Sequence, residues 1–166
     1  ADWILTKNRV IQKINQLLSN LQTSQQQILR TCTTLEKEVL ASSPKISKGE
    51  NYKGLPWLVL DYPRSFNKEE VFAIRTLFWW GNFFSVTLHL SGKYKGGHER
   101  KIIDSFESLK GEAFSVCINE DQWQHHFEAS NYTPLSDADP SQIQERIKKA
   151  SFIKLAKKIP LDEELY

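Results

Sequence analysis

The stretch from Val71 to Gly92 most constrains the fold, because it joins two runs rich in β-branched and aromatic residues through Gly81-Asn82. That pattern predicts a β-hairpin with a two-residue loop. In that register Trp80 opposes Phe83, and side chains alternate between two faces. One predicted face is core and carries Ala73, Arg75, Leu77, Trp79, Phe84, Val86, Leu88 and Leu90. The other is half-covered and carries Ile74, Thr76, Phe78, Trp80, Phe83, Ser85, Thr87 and His89.

Length and composition are those of an ordinary globular chain. A single domain of 166 residues buries roughly 70% of its unfolded surface. Net charge is +2, and no apolar run approaches the length of a membrane span. We expect no nucleic-acid partner and no membrane insertion. The start does not resemble a signal peptide, and the two cysteines, Cys32 and Cys117, lack metal-site spacing. These features predict a cytoplasmic location in which both cysteines are reduced thiols. The alternative is a disulfide between Cys32 and Cys117.

Residues 1–41 are predicted to form a long N-terminal helix. Apolar residues recur every seven positions in two series offset by four: Ile14, Leu21, Ile28 and Leu35, and Ile11, Leu18, Gln25, Cys32 and Val39. These are the d and a positions of a heptad. Such a helix either lies across the sheet of its own subunit or pairs with a second copy, and we predict a homodimer. The alternative to one long helix is two shorter helices joined at the polar cluster at 22–27.

The rest of the chain predicts an α+β domain with helices covering one face of a mostly antiparallel sheet of about five strands. Residues 42–54 are predicted to be a linker, and 55–130 a sheet region with one inserted helix. Within that region, strands are predicted at 55–62, 113–118 and 122–129, and the helix at 99–109. After a loop at 131–139, Asp139-Pro140 is predicted to open a C-terminal helix over 139–159.

The half-covered face of the hairpin is the first candidate site. Aromatic walls with a few hydroxyls and an imidazole suit a small-molecule pocket. The predicted ligand-binding residues are Thr76, Phe78, Trp80, Phe83, Ser85, Thr87 and His89. The alternative is a half-exposed sheet face, where Thr and Ser are common strand residues.

Arg64 and Arg75 form the second candidate, an anion site. The predicted register places Arg75 among apolar residues, so it needs a paired carboxylate, and Asp61 is the natural partner. A structural ion pair is therefore the simpler interpretation. In the functional one, both arginines bind an anion with the amides of Gly96-Gly97 before a helix. A phosphate-binding P-loop is excluded, because the Gly-Lys-Ser/Thr ending is missing.

The third candidate is a metal site, because His126 and Glu128 share one face of the predicted strand at 122–129. With His89 or His98 they would form a two-His, one-carboxylate set. The spacing does not require such a site, so we expect no metal and no cofactor. No catalytic triad, carboxylate pair or dinucleotide fingerprint is present.

Taken together, these features predict a non-enzymatic binding or interaction module that meets a ligand or protein partner through its aromatic sheet face. The alternative is a small enzyme for an anionic substrate, with His89 or His126 as acid–base and Arg64 or Arg75 as anion clamp. An enzyme requires a His and an Arg in one concave pocket, whereas an interaction module requires an exposed, flat aromatic patch.

Overall fold

The computed structural model describes residues 2–162. Five α-helices are present in this range: α1 (Asp2–Leu29), α2 (Lys37–Leu40), α3 (Gly92–Asp104), α4 (Phe106–Gly111) and α5 (Pro140–Lys149). Its strands are β1 (Lys45–Tyr52), β2 (Leu55–Phe66), β3 (Val71–Trp79), β4 (Phe83–Ser91), β5 (Ser115–Cys117), β6 (Tyr132–Pro134) and β7 (Phe152–Pro160). Grouped strands with a long N-terminal helix and a helix near the C-terminus confirm the predicted α+β class.

The strands form one antiparallel sheet in the order β1-β2-β3-β4-β7-β5-β6. The first four strands form a meander, and β7, the last strand within residues 2–162, lies between β4 and β5. The described sheet has seven strands rather than the predicted five. The extra strands come from segments predicted to be non-strand.

Several segment predictions are wrong, among them the loop at 131–139, which contains β6. The predicted linker at 42–54 contains β1, whose turn to β2 uses Lys53 and Gly54, both with positive φ, as a two-residue I′ loop requires. The predicted C-terminal helix stops at Lys149, and the rest of the 139–159 segment is mostly β7. Residues 122–129 form no strand; they belong to the connection between β5 and β6.

The predicted loop of the central hairpin is also wrong, by one residue. Trp79 pairs with Phe83, so the loop is Trp80-Gly81-Asn82. Asn82 N donates to Trp79 O at 3.0 Å, and Gly81 has a φ of +67, which suits position i+2 of a type II turn. Only Gly81 takes positive φ, whereas the predicted I′ loop needs it at both positions. The one-residue slip exchanges the two faces of β4.

The helices lie against one face of the sheet, here called the helix face. On β4 it carries Phe84, Val86, Leu88 and Leu90. Helices α3 and α5 pack over one half, in a core containing Leu90, Tyr94, Ile147 and Leu155. Helix α1 packs over the other half against β2 and β3.

The heptad series of α1 packs mainly within its own subunit. Leu18 is fully buried, and Ile11, Ile14 and Leu21 pack around it on the sheet. Gln25 Nε2 donates to Tyr62 O at 3.1 Å, which ties the polar heptad position to β2. The helix ends at Leu29 instead of continuing to residue 41, and it does not break at the polar cluster at 22–27.

Candidate ligand-binding site

The opposite face of the sheet, here called the cavity face, is covered by a long connection instead of helices. This cover loop comprises residues 118–131 between β5 and β6. Tyr52, at the end of β1, fixes it to the sheet: the amides of His125 and His126 donate to Tyr52 Oη at 2.9 and 3.2 Å. The same hydroxyl donates to Gln124 Oε1 at 3.2 Å. One tyrosine therefore holds three consecutive residues of the loop.

The far end of the cover loop is held by packing and by an internal hydrogen bond. The ring of Phe127 stacks on Tyr132 with centroids 4.7 Å apart and meets Phe83 edge-on at 5.2 Å. Asn131, which is fully buried, donates from Nδ2 to His126 O at 2.6 Å. The loop is thus an ordered lid over β4 and β7.

A cavity of about 270 Å³ lies on this face, partly beneath the loop. It is lined by Asn51, Tyr52, Trp57, Val59, Arg75, Leu77, Ser85, Thr87, His125 and Lys154. Its volume is near the lower end for small-molecule sites. The indole of Trp57 lies across Gly49, where a Cβ would come within 2.5 Å of the ring. Glycine at this position therefore allows Trp57 to form a wall of the cavity.

Arg75 reaches the cavity as half of a buried ion pair. Its Nε donates to Asp61 Oδ1 at 2.7 Å and its Nη2 to Asp61 Oδ2 at 3.3 Å, which confirms the predicted partner. The guanidinium carbon lies 5.7 Å from the ring centroid of Phe66 and 6.0 Å from that of Trp123. Nη1 takes no part in the bidentate contact. The guanidinium is therefore fixed in orientation while one end remains outside the pair.

Lys154 supplies a second cation from the middle of the sheet. It pairs with His89 across the β4–β7 ladder, and only 2% of its surface is exposed. Nζ donates to Gln124 O at 2.7 Å and lies 5.5 Å from the ring centroid of Tyr132. Within residues 2–162 no carboxylate forms an ion pair with it. Burial lowers the pKa of Lys154 to about 8, and the nearby charge of Arg75 acts in the same direction.

His125 and His89, on this side of the sheet, are neutral at physiological pH. Burial lowers the pKa of His125 to about 3, with smaller effects from the charges of Lys154 and Arg75. Burial also lowers the pKa of His89 to about 4, against the opposing effect of its hydrogen bond to Gln122. His89 Nε2 lies 2.7 Å from Gln122 Oε1, whereas the buried Nδ1 has no described partner. Neither imidazole therefore adds a charge to the cavity.

The structure divides the predicted ligand-binding residues between the two faces. Thr76 and Phe78 lie on the helix face, and Trp80 packs there against Phe78 and Trp3. The β4 members lie on the cavity face: Phe83, Ser85, Thr87 and His89. Of these, Ser85 and Thr87 line the cavity. The prediction that all seven share one face is wrong, because it rested on the shifted register.

The two residues of the predicted anion pair are also separated, and of the candidate metal residues only His126 and Glu128 lie together. Arg64 does not line the cavity; its Nε donates to Ser43 O at 2.9 Å. Gly96 and Gly97 lie inside α3, so their amides are not at a helix start. His98 contacts Glu36 at 3.0 Å, and His126 contacts Glu128 at 3.4 Å. Among residues 2–162, no three His, Cys, Asp or Glu side chains are grouped to hold a metal.

Of the cavity residues that sequence reasoning missed, four show why they were missed. Tyr52 lies in the segment predicted as linker, Trp57 lies on the predicted strand at 55–62, whose neighbouring strands were not assigned, and His125 was placed on a strand that does not form. Lys154 lay inside the predicted helix, because Phe152, Leu155 and Ile159 also fit helical spacing.

No helix among the described residues combines the length and apolar character needed to cross a membrane. No protein-family model matches the chain, and searches of curated proteins and of solved structures found no match either.

Proposed function

We propose that the protein binds a small anionic organic molecule in the cavity between the sheet and the cover loop. The observation that carries this proposal is the approach of two cations, Arg75 and Lys154, to one cavity, where Asp61 is the single buried carboxylate of the described part of the chain. The neighbouring imidazoles are neutral, and Asp121, whose charge also acts on Lys154, is exposed, so the buried part of the site has an excess of positive charge. A buried charge without a partner is costly, and a bound anion would reduce that cost.

The remaining lining residues favour a ligand with an apolar or aromatic body. Tyr52 and Trp57 supply flat walls, and Val59 and Leu77 supply an apolar floor. The hydroxyls of Ser85 and Thr87 offer hydrogen bonds to polar substituents. This combination of apolar walls with a few orienting polar groups is typical of small-molecule sites.

Binding is preferred over histidine acid–base catalysis for an electrostatic reason. His125 and Arg75 line the same cavity, as the enzyme alternative requires, but the pKa of His125 is about 3. General acid–base groups work best with a pKa near the operating pH. His89 and His126, the histidines predicted for that role, do not line the cavity.

Calorimetric titration with aromatic carboxylates tests the proposal. Suitable probes are 3-phenyllactate, benzoate and indole-3-acetate, with the neutral amide 3-phenyllactamide as the uncharged comparison. We expect saturable binding of at least one carboxylate and much weaker binding of the amide. Lys154→Met should weaken carboxylate binding about tenfold or more, since a hydrogen bond to a charged group contributes about 1.5–3 kcal/mol.

Lys158→Met is the matched control, because Lys158 lies on the same strand and face but is exposed and outside the cavity lining. Its affinity for the carboxylate should equal that of the unchanged protein. Equal weakening by both substitutions would mean that the anion binds a general basic surface. Absence of saturable binding by all three carboxylates would contradict the proposed function.

A second proposal is self-association through α1, in a cytoplasmic protein. It is supported by large apolar side chains that α1 leaves exposed, which are Trp3, Ile4, Leu5, Leu17 and Ile28. Isolated exposed apolar residues are common, but a series along one helix suits an interface. The free thiols of Cys32 and Cys117 support the reducing location.

A further inference from the structure

Lys154 differs from the other cavity residues in carrying a primary amine that is shielded from water and has no carboxylate partner among residues 2–162. Its strand lies between β4 and β5, so neighbours cover it on both sides. The one hydrogen bond described for its Nζ goes to a backbone carbonyl, Gln124 O. A purely structural lysine at such a position would usually be paired, because desolvating an ammonium group is costly.

The environment of Lys154 increases the fraction of neutral amine over that of an exposed lysine. Burial, helped by the positive charge of Arg75, outweighs the effects of Cys117 and Asp121, which raise the pKa, and the lowered pKa leaves a neutral fraction near pH 7 to 8. A neutral lysine amine is a nucleophile toward carbonyl carbons, and desolvation beside another cation is a known way to activate it. Lys154 thus combines burial, access to a cavity and an adjacent guanidinium.

The second group needed for such chemistry is an anchor that orients the carbonyl compound. Arg75 and Lys154 project from the same face of β3 and β7, which are separated by β4 and hence by roughly 10 Å between strand axes. Both long side chains reach the cavity between those axes. A carboxylate held at Arg75 can therefore place a nearby carbonyl carbon toward Lys154 Nζ.

We propose that Lys154 forms an imine with ligands that carry both a carboxylate and a ketone or aldehyde carbon, with α-keto acids as the simplest class. This inference rests on the proposed function. The Nζ lone pair attacks the carbonyl carbon, and the carbonyl oxygen takes up a proton to give a carbinolamine. Loss of that oxygen as water, with loss of the remaining amine proton, gives the imine. No oxidant or reductant takes part.

Reductive trapping tests this step on the whole, unchanged protein. The probe is phenylpyruvate in the presence of sodium cyanoborohydride, and intact mass followed by peptide mapping locates the adduct. We expect one reduced adduct per chain, on Lys154, formed faster than on any exposed lysine. Excess 3-phenyllactate, which has a hydroxyl in place of the ketone, should compete and suppress labelling of Lys154.

Two variants test the assignment of the adduct to Lys154. Lys154→Met should abolish the fast adduct, whereas Lys158→Met should leave both its rate and its position unchanged. Because mapping on the unchanged protein already identifies the labelled residue, the test does not depend on the folding of either variant. Circular dichroism of Lys154→Met checks that loss of the adduct is not loss of the fold.

The possible failures are distinguishable. If 3-phenyllactate binds saturably but phenylpyruvate labels exposed lysines with no preference for Lys154, the imine is wrong and the anion site stands. If phenylpyruvate labels no preferred lysine and none of the carboxylates binds, the proposed function fails together with the inference.

Discussion

Asp61 and Arg75 form a coupled pair, and removing one partner should cost more than removing both. Asp61 is 5% exposed, so Asp61→Ala leaves a guanidinium without a counter-charge in a mostly buried position. We expect a loss of about 3–5 kcal/mol in the free energy of unfolding, measured by urea denaturation. The double variant Asp61→Leu/Arg75→Met should lose less, because it removes both buried charges.

The comparison between these two variants shows whether the ion pair contributes net stability. An equal or larger loss in the double variant would mean that the pair contributes net stability through its own contact. In that event the excess-charge argument for the cavity would also weaken, because Arg75 would be fully compensated by Asp61.

His89 should make the folded state sensitive to acid. Its pKa is about 4 in the folded protein and near 6.5 when unfolded, so the unfolded chain binds more protons between these values. Stability therefore falls as the pH is lowered from 6.5 through 4, by up to about 3 kcal/mol from this residue. His125 acts in the same direction.

His89→Gln isolates the contribution of His89, because glutamine does not ionise and can still bond to Gln122. Urea midpoints at pH 7.5 and pH 4.5 should differ less in this variant than in the unchanged protein. The same pH dependence in both proteins would show that the buried imidazole does not titrate in this range.

At the scale of elements, β7 gives the clearest stability prediction. Leu155 is 2% exposed and packs in the core beneath α3 and α5, so Leu155→Ala should cost about 2–5 kcal/mol. Ile159 lies on the same strand and the same face but is 43% exposed. Ile159→Ala should cost less than about 1 kcal/mol, as measured by urea denaturation. Similar losses for both would contradict the burial gradient along β7.

The fold class could be predicted from the sequence, because it depends on patterns within single segments. Alternating apolar residues in 71–91 predict strands β3 and β4, and Asp139-Pro140 predicts the start of α5. The pairing register of β3 with β4 could not be predicted as reliably from the sequence. A two-residue and a three-residue loop both fit Trp80-Gly81-Asn82, and backbone contacts such as Trp80 N to Pro56 O, at 3.0 Å, accompany the longer loop.

Most residues of the candidate site could not be predicted from the sequence, for a related reason. Its residues come from β1, β2, β3, β4, β7 and the cover loop, and only pairing across the sheet brings them together. Arg75 and its partner Asp61 were predicted correctly, because a buried cation demands a carboxylate. Lys154 was not, since a lysine in an amphipathic segment is usually exposed and gives no local signal of burial.

At the scale of the whole molecule, the two faces of the sheet differ in composition and in covering. Helices α1, α3 and α5 cover the helix face and bury most of its apolar residues. The cavity face instead carries the polar and charged side chains under the cover loop. Changes on the helix face should therefore alter stability more than ligand binding, and changes around the cavity should do the reverse.

The outer surface of α1 is where the proposal of self-association is tested. Most of the heptad seam is occupied by the sheet of its own subunit, so a contact between copies must use the exposed side chains instead. Leu17 and Ile28 are 48% and 68% exposed and lie eleven residues apart, which places them on the same side of the helix. Leu18, the next residue, is fully buried and supplies the contrast.

Sedimentation of the unchanged protein should show a dimer at micromolar concentration. Leu17→Lys/Ile28→Lys should give a folded monomer, because lysines on the outer surface add charge to the interface without entering the core. Leu18→Lys should unfold the chain, since it buries an unpaired charge within the subunit. A dimer that persists in the outer-surface variant would place the interface elsewhere. If the unchanged protein sediments as a monomer at every concentration, α1 serves its own subunit alone.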